Sequence, residues 1–174
     1  MSDEALEQLV ALSEKETSED EALALELALA DALACMASAV YRGLAGSQPT
    51  SVEDLVIAHS VLDLDDVDWA TVHHPGSVVV PAVLAEALDK GCSGTQLVSA
   101  LSIGYRVSSG VAAMLAPDTR TRWHATAICG AFGAGAAAAA LHEADRDVMY
   151  RTLALVASSV GGLAAAPRAR NGAA

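Results

Sequence analysis

Three of the five histidines and four of the 22 carboxylates of this 174-residue chain crowd into one stretch, His59 to Ser77. The stretch runs through Asp63, Asp65, Asp66 and Asp68 to the adjacent pair His73 and His74. Carboxylates at this density repel one another, so a loop that carries them either binds something or stays fully wet. A fourth histidine, His124, stands in Arg120-Thr121-Arg122-Trp123-His124-Ala125-Thr126, just ahead of a run of small residues. At a helix N-terminus the dipole favours the neutral, base-competent imidazole. Three kinds of chemistry are conceivable. Metal binding is suggested by His59 and Asp63, four apart and followed by His73 and His74. Those spacings match no standard zinc pattern, and adjacent histidines rarely ligate one ion, so no metal and no cofactor are expected. Structural capping, with His and Asp at helix ends paired to Arg120 or Arg122, is the second reading. Acid–base chemistry, with Asp63 or Asp66 orienting a proton-moving histidine, is the third. The residues alone leave the last two open.

The elements that must position these groups are helical. Ser18-Glu19-Asp20-Glu21 reads as a capping box that opens a helix to about Leu44, which Gly46, Ser47 and Pro49 stop. Thr50-Ser51-Val52-Glu53 opens a second helix through Leu55 and His59. Residues 63–77 show no sustained period and are expected as a loop. Ser77 can cap a helix from Val78 to about Lys90, with Pro81 in or near its first turn and Gly91 as its end. Ser93-Gly94-Thr95-Gln96 is a third capping box, leading a helix to Leu115. A polar link, 116–123, precedes the small-residue helix from Thr126, and a last helix spans about Asp147 to Val160. The expectation is an all-α, compact bundle of about six helices in one domain, 1–166, with a frayed tail at 167–174. Five consecutive alanines after Gly130, Gly133 and Gly135 leave almost no side chain on that helix. Neighbouring helices can therefore approach it closely, which predicts a central, buried position.

Composition narrows the partners. Ten Lys and Arg against 22 Asp and Glu give a formal charge of -12. With no basic face to displace counterions, nucleic acid is excluded as a partner, and anionic lipid is disfavoured. Residues 1–31 hold ten acids against Lys15 alone, which reads as a solvated helix face. Cys35, Cys92 and Cys129 are odd in number and far apart, as free thiols in a reducing compartment are. The acidic Met1-Ser2-Asp3-Glu4 is unlike a signal peptide, and the longest uncharged apolar run, Ala125 to Leu141, is mostly Ala and Gly. It falls short of the roughly 20 apolar residues of a bilayer span. A soluble, cytoplasmic protein is expected.

The ordered set of motifs resembles the MmgE/PrpD family. It comprises His59-x-x-x-Asp63-Leu64-Asp65-Asp66, His74-Pro75-Gly76-Ser77 with Pro81-Ala82, Ser93-Gly94, and Gly104-Tyr105-Arg106-Val107. Trp123-His124-Ala125-Thr126 before the Gly/Ala helix, and Ala154-Leu155-Val156-Ala157 before Gly161-Gly162-Leu163, continue the series. Leu6 to Ala37 is similar to the family's opening helices. The family contains 2-methylcitrate dehydratase, cis-aconitate decarboxylase and iminodisuccinate epimerase.

The resemblance implies the first part of a helical MmgE/PrpD domain, without the lid domain of full members, which are more than twice as long. It places Asp63, His74 and His124 at the positions that line the family's substrate pocket. Here Asp63 is the orienting carboxylate and the histidines are the catalytic candidates. His73, Arg120, Arg122, Trp123 and Thr126 are the expected substrate-binding neighbours, the arginines as holders of an anion. The family's catalytic lysine segment has no counterpart, since Lys15 and Lys90 are the only lysines. The implied function is a small lyase or isomerase that moves protons on a carboxylate or carbonyl metabolite, by dehydration, decarboxylation, isomerisation or cyclisation. The alternative is a non-catalytic or half-site subunit whose active site a separate chain completes. A domain of this size leaves apolar helix faces uncovered, so a homodimer, or a heteromer with a complementary MmgE/PrpD-like chain, is expected.

Overall fold

The computed structural model describes residues 1–116 and 118–162, apart from the side chains of Arg120 and Thr121. The expected tail, 167–174, lies outside the described residues. These fold into eight helices: α1 (Asp3–Ser13), α2 (Glu19–Tyr41), α3 (Val52–Ser60), α4 (Gly76–Lys90), α5 (Gly94–Met114), α6 (Thr119–Arg122), α7 (Ala125–Leu141) and α8 (Arg146–Ser159). All six expected helices are among them, and no strand occurs among the described residues; Asp68 and His73 form one isolated bridge.

The two additional helices are α1 and the four-residue α6. The acidic N-terminus does not simply stay wet. Ser2 caps α1 by accepting from the Ala5 N–H, and Leu6, Leu9 and Val10 are buried at helical spacing. The cap of α3 is Ser51, which accepts from the Asp54 N–H, one residue after the expected Thr50; the other caps follow the sequence with two differences. Only Ser93 and Gln96 close a complete capping box. Ser18 caps α2, but the Glu21 side chain turns away to α5, where it accepts from Ser102 Oγ and Arg106 Nε, each at 2.7 Å. The Arg106 guanidinium holds the Glu21 carboxyl below its usual range. Arg106 also donates to the carbonyls of Leu12, Lys15 and Glu16, pinning the α1–α2 turn to α5. The second difference is α4, which starts at Gly76 instead of at a Ser77 cap. The Ser77 hydroxyl donates to the His74 carbonyl at 2.8 Å, and Pro81 is the sixth residue of the helix, two residues deeper than expected.

The helix α7 lies at the centre, packed by α4, α5 and α8. Its glycines are where those helices come closest. A Cβ on Gly133 would lie 2.6 Å from the Gly104 carbonyl oxygen and 2.8 Å from Val79; one on Gly130 would lie 2.6 Å from Val78. Two cores meet on α5 and α7. One gathers Leu9, Val107, Phe132 and Leu153; the other gathers Met36, Leu55, Val80, Leu101 and Leu141. The loop between α3 and α4 is clamped to this frame, with its first end on α3 and its last residues against the start of α7.

Candidate functional site

The loop is organised by its aspartates. Asp68 Oδ1 accepts from the N–H groups of Ala70 (3.0 Å) and Thr71 (3.3 Å), a tight Asx-type turn. Asp68 Oδ2 takes the Ser109 hydroxyl of α5 at 2.7 Å, and the Asp68 N–H donates to the His73 carbonyl. These bonds outweigh burial and hold the Asp68 carboxyl below its usual range. Asp66 is turned the other way, into the protein. Its Oδ1 accepts from the Gly76 N–H at 3.0 Å and it pairs with the Tyr105 hydroxyl. Burial pushes both groups up, the Asp66 carboxyl and the Tyr105 phenol. A side chain at position 76 would collide with the Asp66 carboxylate and come within 2.6 Å of the Tyr105 oxygen. The glycine after His74-Pro75 is therefore required by close approach.

The adjacent histidines part company. His73 is fully buried: Nδ1 lies 2.8 Å from Thr71 Oγ1 and Nε2 lies 3.0 Å from Ser108 Oγ of α5. It was expected to bind substrate, but its ring is packed into the protein interior with both nitrogens engaged. His74 emerges on the opposite side. Its backbone N–H donates to Thr126 Oγ1 at 3.1 Å, so the first turn of α7 fixes where the ring sits.

There the structure opens a cavity of about 330 Å³, lined by Asp63, Asp65 and His74 of the loop, Ser77 of α4, and His124 and Thr126 at the start of α7. Val56 and Val78 supply apolar wall. Asp63, His74, His124 and Thr126 are thus brought together, although fifty residues of sequence separate the two histidines. The others are not. Arg122 and Trp123 are exposed on and after α6 and do not line the cavity, and the Arg120 side chain lies outside the described residues. Asp63 differs in role as well. It is exposed at the rim in a left-handed conformation (φ 54°), and the carboxylate that meets an imidazole is Asp65, whose Oδ2 lies 3.3 Å from His74 Nδ1. That approach is at ion-pair distance but not aligned as a hydrogen bond. Asp65 and Ser77 were not singled out. Nothing in Asp63-Leu64-Asp65-Asp66 tells which of three carboxylates a loop will aim at a histidine.

His124 carries two duties. It is the N-cap of α7, with Nδ1 accepting from the Ala127 N–H at 3.3 Å, so the capping reading is realised at this residue. An Nδ1 that accepts is unprotonated, and the neutral ring then carries its proton on Nε2. On His74 the buried Nδ1 faces the Asp65 carboxylate; in the neutral ring with its proton on that side, Nε2 carries the lone pair. His59, behind the loop, is buried with Nδ1 unpartnered, and burial keeps it below the usual histidine range despite nearby Asp31, Asp65 and Asp66. Among the described residues no three His, Cys, Asp or Glu side chains gather as metal ligands would.

No curated protein matches the chain. The family model of the MmgE/PrpD N-terminal domain matches residues 55–173, from within α3 onward, so α1 and α2 stand outside the matched segment. The matched segment carries the whole loop, both pocket histidines and the central helix, and it covers well over half of the sequence: this chain belongs to the MmgE/PrpD family.

Proposed function

We propose that the cavity is a proton-transfer site of a lyase or isomerase acting on a small carbonyl or carboxylate metabolite. The supporting observation is the complementary state of two imidazoles in one cavity. His74 offers an Nε2 lone pair; His124 offers an Nε2–H. In the proposed reaction His74 Nε2 removes a proton from the carbon beside the substrate carbonyl, and the electron pair moves onto the carbonyl oxygen. The His124 Nε2–H hydrogen-bonds that oxygen as its charge develops, a role worth about 10²–10³ in rate for an aimed donor. His124 keeps its proton, because losing it while Nδ1 caps the helix would leave an imidazolate. The proton held by His74 then returns either to carbon, giving isomerisation, or to a leaving hydroxyl, giving dehydration. Asp65 supports the imidazolium that forms in between. No Lys or Arg is among the described lining residues, which favours a carbonyl over a multiply charged carboxylate. The same feature supports a second reading, in which a separate chain supplies the cations.

The test is exchange chemistry. The purified chain is incubated in deuterated water with a panel of small 2-oxo, 3-oxo and 3-hydroxy acids and their neutral esters, and loss of the proton next to the carbonyl is followed by NMR. His74→Ala should lower exchange by about 10²–10⁴, the usual contribution of a positioned base. Exchange that survives His74→Ala would remove the proposal. Exchange that appears only after a second MmgE/PrpD-type chain is added would establish the half-site reading.

A further inference from the structure

The cavity that holds His74 and His124 is rich in acceptors and poor in donors. Asp63 and Asp65 both line it, and neither carboxylate accepts a hydrogen bond from a described residue. The Asp65 side chain is only 5% exposed, and it meets His74 Nδ1 at ion-pair distance without alignment. A carboxylate taken out of water and left without donors is costly, so its burial calls for a cation or for N–H groups. The serine hydroxyls of the wall are already committed to the backbone. Ser77 Oγ donates to the His74 carbonyl at 2.8 Å, and Ser60 Oγ donates to the Val56 carbonyl at 2.6 Å. Thr126 Oγ1 accepts from the His74 N–H, which leaves its one hydroxyl proton. Together with the His124 Nε2–H that makes two donors, enough for one carbonyl oxygen and too few for a carboxylate set beside two others.

We infer that the cavity selects a small carbonyl compound bearing an ammonium group, with its carbonyl oxygen at His124 and its ammonium toward Asp63 and Asp65. The carbonyl half of this inference rests on the proton-transfer reading above; the charge preference rests on the cavity wall alone. An ammonium brings three donors and a positive charge to carboxylates that lack both. A carboxylate in its place would bring only acceptors and would face like charge in a partly enclosed space. A metal ion would need more than two protein ligands, and among the described residues no three His, Cys, Asp or Glu side chains gather. The volume of about 330 Å³ suits a small molecule. The formal charge of -12 on the chain draws cations toward the same mouth. An ammonium near the reacting carbon also withdraws electrons from it, which eases loss of the proton to His74.

The experiment offers three ketones to the purified full chain in deuterated water at neutral pH: aminoacetone, its uncharged isostere 2-butanone, and levulinate as the anion. Binding is read from the ring NMR signals of His74 and His124. Exchange is read from loss of the protons beside the carbonyl, each rate divided by the rate in buffer alone. Aminoacetone should bind about tenfold more tightly than 2-butanone, the size of one hydrogen bond to a charged group, and levulinate more weakly than either. Raising salt from about 50 to about 500 mM should weaken aminoacetone and leave 2-butanone unchanged. Asp63→Asn should lower the preference for aminoacetone over 2-butanone about two- to fivefold, as loss of a solvent-exposed ion pair does. Equal binding of aminoacetone and 2-butanone, or tighter binding of levulinate, would overturn the inference. So would a preference for aminoacetone that Asp63→Asn and Asp65→Asn both leave intact. The expected binding order with no exchange of any ketone would refute the proton-transfer reading and leave the charge selection standing.

Discussion

The loop between α3 and α4 separates two groups of histidines that look alike in sequence and differ in every physical respect. On its inner side His59 and His73 are fully buried, and His73 spends both ring nitrogens on hydroxyls of Thr71 and Ser108. On its outer side His74 and His124 share a cavity of about 330 Å³, with one nitrogen of each turned to a protein group. A buried imidazole with both nitrogens satisfied is a strut, since moving its proton breaks a bond that burial makes expensive. An imidazole with one nitrogen committed has its tautomer set and its other nitrogen available. By this measure His73 is structural, while burial with no cavity at the ring, not a count of bonds, sets His59 apart from the outer pair.

The α5–α7 contact is common to both groups, so disturbing it should give the largest effect. Gly133→Leu would drive a side chain into the Gly104 carbonyl, Val79 and the Ser108 Cβ, all within 3 Å of its Cβ position. Overpacking against backbone should cost about 3 kcal/mol or more, read from urea unfolding. Because Ser108 holds His73 and the start of α7 holds the cavity, it should also abolish substrate exchange. A variant of normal stability would show that α7 is not wedged as described.

Next in size is the strut itself. His73→Ala removes a fully buried ring and the partner shared by Thr71 and Ser108, at about 2–4 kcal/mol. What survives folded should keep its exchange activity, since the ring does not reach the cavity. Lost turnover with an unchanged thermal midpoint would reverse the assignment of the two sides.

Much of this frame was legible in the sequence because helices announce themselves locally. Ser18 and Ser93 cap as their positions suggest, Ser51 caps α3 one residue after the expected Thr50, and the glycines of α7 meet neighbouring helices as the absence of side chains implies. The helix α1 was legible too, in Ser2 followed by Leu6, Leu9 and Val10, but the excess of acids around it reads first as a wet surface. The loop was less legible. That His74 and His124 share a cavity follows from family resemblance and from both preceding helices. Which aspartate meets His74 depends on the path of the loop, where Asp63 takes a positive φ that Asp tolerates better than most residues but that three nearby aspartates do not single out. The opposite fates of His73 and His74 depend on a hydroxyl of α5, 35 residues away from His73.

His124 tests whether the outer group is free of structural duty, and it is not. His124→Ala removes the cap of α7 and should cost about 1 kcal/mol, a few degrees in thermal midpoint for a chain of this length. His124→Asn should restore the cap, because an amide oxygen can accept from the Ala127 N–H, without restoring a donor placed like Nε2–H. Stability recovered without activity would separate the two duties. Recovery of both would mean that capping alone explains the residue.

The smallest effect is a slope. Burial holds His59 below the ordinary histidine value of 6.5, and the carboxylates facing it, Asp31, Asp65 and Asp66, only partly offset this. Between the lowered native value and 6.5 the unfolded chain therefore binds more protons than the native one, so stability rises with pH across that window and is lost on acidification through it. Asp66 acts with the opposite sign and in a lower window. Its burial raises the carboxyl above 3.8, so the native state holds the extra proton there and stability falls as pH rises through that window. The thermal midpoint should therefore decline from neutral pH toward the acid side first because of His59, with Asp66 softening the decline further down. His59→Gln should flatten the upper part of the curve and leave the lower part in place, whatever it does to absolute stability. If the variant keeps the wild-type slope, His59 titrates alike in the folded and unfolded chains, and the inner side of the loop is wetter than its geometry shows.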